Sequence, residues 1–107
     1  MTKEELLEKA NSLPLAPGVY LMHDRDDTVI YVGKAKKLKN RVSQYFQAGR
    51  GHDLKTQTMV SHVYTFETIL VGSEFEALVL ENALIKQYMP RYNILLKDDK
   101  GYPFVRL

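Results

Sequence analysis

The stretch from Gly18 to Lys34 constrains this chain more than any other. Gly18-Val19-Tyr20 and Tyr31-Val32-Gly33-Lys34 stand on either side of the polar run Asp24-Arg25-Asp26-Asp27. Aromatic and β-branched residues flanking a cluster of aspartates read as two strands of a hairpin. A loop centred on Arg25 and Asp26 pairs Tyr20 with Tyr31 and Gly18 with Gly33. Side chains alternate across a strand, so both tyrosines share one face, and Val19, Leu21, Ile30 and Val32 share the other. The apolar face calls for a core. The phenol-bearing face, with a cationic stretch directly behind it, suits an anion such as a phosphodiester.

That stretch holds Lys34, Lys36, Lys37, Lys39 and Arg41, and no Asp or Glu occurs between Tyr31 and Gly51, although the whole chain has a net charge of only +2. A helix over Lys37 to Phe46, with Leu38, Val42, Tyr45 and Phe46 inward, turns these cations outward. Such a face either is simply solvated or tracks a polyanion. With 107 residues and 45% hydrophobic content, the chain makes one domain with one modest core. Without cysteine it has neither a disulfide nor a thiolate metal site, as expected in a reducing compartment. No signal peptide and no apolar run of membrane-spanning length are visible. The expectation is a cytoplasmic, monomeric piece with no membrane partner.

Thr2 and Glu5 have capping-box spacing, followed by Leu6, Leu7, Ala10 and Leu13 at helical intervals, and that helix stops before Pro14 and Pro17. Gly49-Arg50-Gly51 marks a loop, Leu54 to His62 a short helix, and Thr65 to Val71 a third strand. Ser73 and Glu76 repeat the capping-box spacing and open a long helix that ends near Tyr88-Met89-Pro90. Beyond it lies a tail with Arg91-Tyr92-Asn93 and Leu96-Lys97-Asp98-Asp99-Lys100. The closing Phe104-Val105-Arg106-Leu107 resembles a strand, so the chain reads as a domain of a longer protein.

Glu81 stands out on the long helix. At about 100° per residue, Leu84, Ala77, Tyr88, Glu81, Ile85 and Leu78 fall within an arc of roughly 120°, and Glu81 is its one group charged at neutral pH. A carboxylate on a packed face needs compensation. A salt bridge to a lysine or arginine supplies it. So does a hard divalent cation, held by one carboxylate and completed by water and a substrate phosphate. Glu74 and Glu76 are read as helix N-terminal residues, and His23 as an exposed turn residue. His52 and His62 do not form a zinc site, and the Asp98-Asp99 pair is a surface turn or a second metal site.

Gly18-Val19-Tyr20, Tyr31-Val32-Gly33-Lys34, Asn40-Arg41, Tyr45, Glu81 and Asn93 together resemble the motif set of the GIY-YIG nucleases, with Val19 and Val32 at the variable central positions. Ala16 to Tyr20, Val32 to Lys36, Glu81 to Lys86, Pro90 to Asn93 and Leu96 to Lys100 are similar to the UvrC branch of that family, from bacterial nucleotide excision repair. The resemblance spans nearly the whole chain. It implies an α+β fold, a small three-stranded antiparallel sheet flanked by helices. It also implies a metal-dependent endonuclease that makes the 3′ incision in damaged double-stranded DNA, with UvrB as a partner of the full-length protein.

The resemblance also implies roles. Tyr31 is the general base toward the attacking water, its phenolate favoured by Lys34 and Arg41. Tyr20 places water or phosphate through its hydroxyl, and Gly33 allows close approach. Arg41 and Tyr45, one helical turn apart, hold the phosphate and stabilise the transition state. Glu81 holds one Mg²⁺ or Mn²⁺ ion. Lys36, Lys37 and Lys39 follow the DNA backbone, and Asn93 binds substrate or organises the site. The alternative is a non-catalytic module on the same scaffold that binds nucleic acid or a repair partner.

Overall fold

A computed structural model describes residues 2–47 and 54–98, without the side chains of residues 55 and 95–98. The loop around Gly49 to Gly51, His52, the Asp98-Asp99 carboxylates and the strand expected at 104–107 lie outside what is described. The elements are α1 (Lys3–Asn11), β1 (Gly18–His23), β2 (Val29–Ala35), α2 (Leu38–Phe46), α3 (Leu54–His62), β3 (Thr65–Leu70), α4 (Glu74–Tyr88) and α5 (Arg91–Asp98). The three strands form one antiparallel sheet in the order β2-β1-β3.

Local chemistry starts the helices. In α1 the Thr2 side chain accepts the Glu5 N–H at 3.1 Å while the Glu5 carboxylate accepts the Thr2 N–H at 2.8 Å. In α4 Ser73 accepts the Glu76 N–H at 3.2 Å, but the Glu76 carboxylate reaches one residue further back, to the Gly72 N–H at 2.6 Å. Helix α2 has no side-chain cap. Its first N–H groups, of Leu38 and Lys39, donate instead to the carbonyls of Ala16 and Pro14. That ties the helix to the loop entering β1.

Because β1 is the central strand, all six of its residues are buried. One sheet face carries Tyr20, Met22, Ile30 and Phe66 under Leu6 and Ala10 of α1, Leu38, Val42 and Phe46 of α2, and Met59 and Val60 of α3. The other carries Val19, Leu21, Val29 and Val32 under α4, through Ala77, Leu80, Leu84 and Ile85. The phenol-bearing face is therefore itself covered by core, and only its β2 margin is left for a site.

The hairpin register differs from the expected one. Tyr20 pairs with Gly33 and Met22 with Tyr31, two residues along. The loop is longer than a turn on Arg25-Asp26. Asp24 Oδ1 accepts the N–H groups of Asp26 and Thr28, both at 2.9 Å, and Asp27 adopts φ 66°. Aspartate tolerates that left-handed conformation and bridges its own turn. A bulge follows: His23 pairs with Val29, so Ile30 is the extra residue and joins the tyrosine-bearing face. A two-residue shift preserves face parity, so Tyr20 and Tyr31 still share a face, as do Val19, Leu21 and Val32. Ile30 does not join the latter.

Two further readings change. Residues 91–98, read only as a tail with no element assigned, form α5. The helix follows Met89, a left-handed C-cap at φ 46°, and the buried Pro90. His23 is 6% exposed, not a surface turn residue. Its Nε2 lies 2.7 Å from Glu67 and its Nδ1 3.2 Å from Asp27, although neither contact is aligned as a hydrogen bond.

Candidate active site

Strand β2 is an edge strand, and α5 finishes its outer side. The Val32 N–H donates to Asn93 Oδ1 at 2.7 Å, and Asn93 Nδ2 donates to the Val32 carbonyl at 2.8 Å. The amide side chain thus stands in for one residue of a neighbouring strand, satisfying both polar groups of a buried backbone unit. Asn93 is 3% exposed with its oxygen and nitrogen both engaged. That geometry favours the organising role over the substrate contact: Asn93 holds β2, and with it Tyr31, in place. Tyr92 beside it is buried and stacks on His62 at 6.2 Å, which docks α5 on α3.

On the tyrosine-bearing face three phenols converge. Ring centroids of Tyr20 and Tyr31 are 6.2 Å apart, those of Tyr20 and Tyr45 5.8 Å, and those of Tyr31 and Tyr45 6.5 Å. The Tyr20 and Tyr45 hydroxyls share a 2.8 Å hydrogen bond. Tyr20 is fully buried, with its ring lying across Gly33, so that a Cβ built on Gly33 would fall on Cζ and Oη of Tyr20. Two expectations change. Gly33 makes room for the Tyr20 ring rather than for substrate. Tyr20 presents its hydroxyl to Tyr45 rather than to a phosphate.

Tyr31 and Tyr45 are half-buried, and Arg41 is exposed at their margin. Burial pushes the Tyr31 hydroxyl well above the usual phenol range. The Tyr45 charge and hydrogen bond add to that, then the Glu81 carboxylate, while Arg41 pulls the other way and does not win. Tyr20 is raised by burial first, then by its tyrosine neighbours, with Arg41 again opposing. The expected cation-stabilised phenolate is therefore not the resting state; Tyr31 rests as a neutral phenol. Lys34 pairs with Val19 on the opposite pleat and is exposed there, so Arg41 is the cation acting on the tyrosines.

Glu81 is half-buried on α4, and its charge reaches Tyr31. The expected packed arc holds at Ala77, Glu81, Leu84 and Ile85. Leu78 and Tyr88 are exposed at its edges, and Leu80 packs in their place. Among the described residues no group of three or more His, Asp or Glu side chains could hold a metal. A single hard oxygen donor beside a phenol fits an ion that keeps most of its shell as water and phosphate, the Mg²⁺ style of binding.

The UvrC-like GIY-YIG domain family matches residues 16–94. The UvrABC system protein C of Lachnospira eligens is 57% identical over 102 residues, 95% of this chain, and the chain spans 17% of that protein's length. The fold is similar to the GIY-YIG N-terminal endonuclease domain of UvrC from Thermotoga maritima bound to its catalytic divalent cation, magnesium. The TM-score is 0.75 at 37% identity, covering 85% of this chain and 98% of that one. Variants of that domain with a tyrosine changed to phenylalanine also bind the cation, one of them matching at a TM-score of 0.76 and 36% identity, covering 85% of this chain and 97% of that one.

Proposed function

The chain belongs to the UvrC-like GIY-YIG domain family, and from that premise we propose that it is a metal-dependent DNA endonuclease domain that makes the 3′ incision in nucleotide excision repair. The observation that carries this is the meeting of groups at one hydroxyl: Tyr45, Arg41 and the Glu81 carboxylate all act on Tyr31. A scaffold that only binds DNA has no need to set a half-buried phenol against a carboxylate.

Hydrolysis requires water to attack phosphorus, the P–O3′ bond to break, and the water's proton to leave. The products carry a 5′-phosphate and a 3′-hydroxyl. Arg41 forks onto non-bridging oxygens and meets the charge that grows on them in the transition state. Tyr31 hydrogen-bonds the attacking water and fixes its line of approach. Tyr45 holds the Tyr31 hydroxyl, and Tyr20, wedged over Gly33, holds Tyr45. Glu81 is the residue for one divalent ion. Bound there, Mg²⁺ or Mn²⁺ would supply positive charge for the leaving oxygen and would offset the Glu81 charge that, after burial and Tyr45, raises the Tyr31 phenol.

The substrate is damaged duplex DNA, and UvrB presents it through the full-length protein. The test is 3′ nicking of a damaged duplex by that protein with UvrB and Mg²⁺. Glu81→Gln and Tyr31→Phe should each lower the rate about 10²-fold or more, as losing a transition-state or proton-transfer group does. Wild-type rates in both variants would overturn the assignment.

A further inference from the structure

Helix α2 carries three adjoining stripes. Leu38, Val42 and Phe46 are buried, and Tyr45 is half-buried against Tyr20 and Tyr31. Lys37, Asn40, Arg41 and Gln44, spaced as one helical face, are exposed. With Ala35 and Lys36 at the end of β2 they line a groove of about 300 Å³. Every charge on its wall is positive, and its neutral polar groups are amides, which both donate and accept. Lys39 is half-buried about 150° around the helix from the middle of that stripe, so its charge serves the other flank. Arg41 lines the groove and also acts on Tyr20 and Tyr31. The groove therefore continues outward from the tyrosine cluster and shares one guanidinium with it.

We propose that this groove seats the sugar-phosphate unit next to the scissile phosphate. Lys37 takes its phosphate, Asn40 and Gln44 bond its phosphate and sugar oxygens, and Arg41 stands at the boundary with the scissile phosphate. The proposal rests on the nuclease reading above and deepens it. The wall has no aromatic or broad apolar surface on which a base could stack, so the subsite reads the backbone and not the sequence. Lys36 shares its charge with Glu74 at 3.7 Å and adds less. Lys37 makes no ion pair among the described residues.

The test uses the full-length protein with UvrB and a damaged duplex in which one phosphate at a time around the 3′ cut is replaced by an uncharged methylphosphonate. The wild type should lose about tenfold in nicking when the neighbour of the scissile phosphate is neutral, as for one charge-assisted contact. Lys37→Ala combined with Asn40→Ala alters exposed side chains, so its melting temperature should match the wild type. It should show KM raised about tenfold at a similar kcat, a salt slope smaller by about one, and no further loss at that methylphosphonate. Lys39→Ala, an equal change of charge, should keep the penalty. A wild type indifferent to both neighbouring phosphates, or a double variant that keeps the penalty, overturns the proposal. Glu81→Gln in the same assay separates the two readings. If it nicks normally, the nuclease assignment fails and the groove falls with it; if it is inactive while the double variant keeps the penalty, only the groove fails.

Discussion

Replacing Gly33 by alanine adds one methyl group at the point where the Tyr20 ring crosses β2. The backbone there is not in the left-handed region, so alanine costs nothing through φ and acts through space alone. The new Cβ falls on Tyr20 Cζ and Oη, and Tyr20 is 2% exposed, packed within the core. Overpacking of a core costs about 1–3 kcal/mol. Moving the ring also breaks the 2.8 Å bond to Tyr45, worth about 1 kcal/mol. Against this, alanine lowers the entropy of the unfolded chain and returns about 0.5 kcal/mol. Steric cost wins, and the net loss is about 1.5–3.5 kcal/mol, a fall in melting temperature of roughly 6–28 °C for a domain of this size. Thermal and urea melts of Gly33→Ala measure it. In a Tyr20→Leu background the clash is gone, so the same substitution should cost at least about 1 kcal/mol less. If Gly33→Ala melts within about 2 °C of wild type, or costs as much without the ring as with it, glycine is not there to admit Tyr20.

Two predictions concern the edge strand and the phenols. Asn93→Ala leaves the Val32 N–H and C=O without partners and should destabilise the domain by about 2–4 kcal/mol. The Val32 amide should exchange with solvent faster, and Asn93→Asp, which sets an oxygen against the Val32 carbonyl, should do no better. Of the seven tyrosines, Tyr20 and Tyr31 should still be protonated in an ultraviolet titration at about pH 10, where ordinary phenols ionise. Their folded pKa values are raised, so the unfolded chain binds fewer protons than the folded one above pH about 10. Stability is then complete below that pH and falls as pH climbs. Mg²⁺ should bring one late phenol to lower pH in the wild type and not in Glu81→Gln; an unchanged titration would argue against a cation at Glu81.

Much of this was legible before any coordinates, for identifiable reasons. Capping at Thr2 and Ser73 is local hydrogen bonding within four residues, and it starts α1 and α4 where the spacing says. Alternation along β1 and β2 put Tyr20 and Tyr31 on one face even though the register was two residues out, because parity survives an even shift. Tyr31 and Glu81 stand out by pattern, Arg41 and Tyr45 take their roles from the family resemblance, and Tyr45, Arg41 and Glu81 all act on the Tyr31 hydroxyl. Their neighbours fared differently. Gly33 and Tyr20, given contacts to substrate or water, support one another and Tyr45 instead, and Asn93 takes the organising one of its two expected roles. Helix α5 was missed because Pro90 and a short, mixed segment gave no clear period, and its docking depends on Tyr92 and on one amide side chain that completes β2.

What the chain of residues determined alone was everything carried by short range: element type, caps, which side chains share a strand face, and the pairing of phenols with cations. Tertiary structure decided what each of those groups touches. The length of the Asp24–Thr28 loop and the Ile30 bulge set which residue faces Gly33, and burial under α2 kept the Tyr31 phenol protonated despite Arg41. Desolvation and steric room depend on neighbours far away in sequence, and no local pattern encodes them.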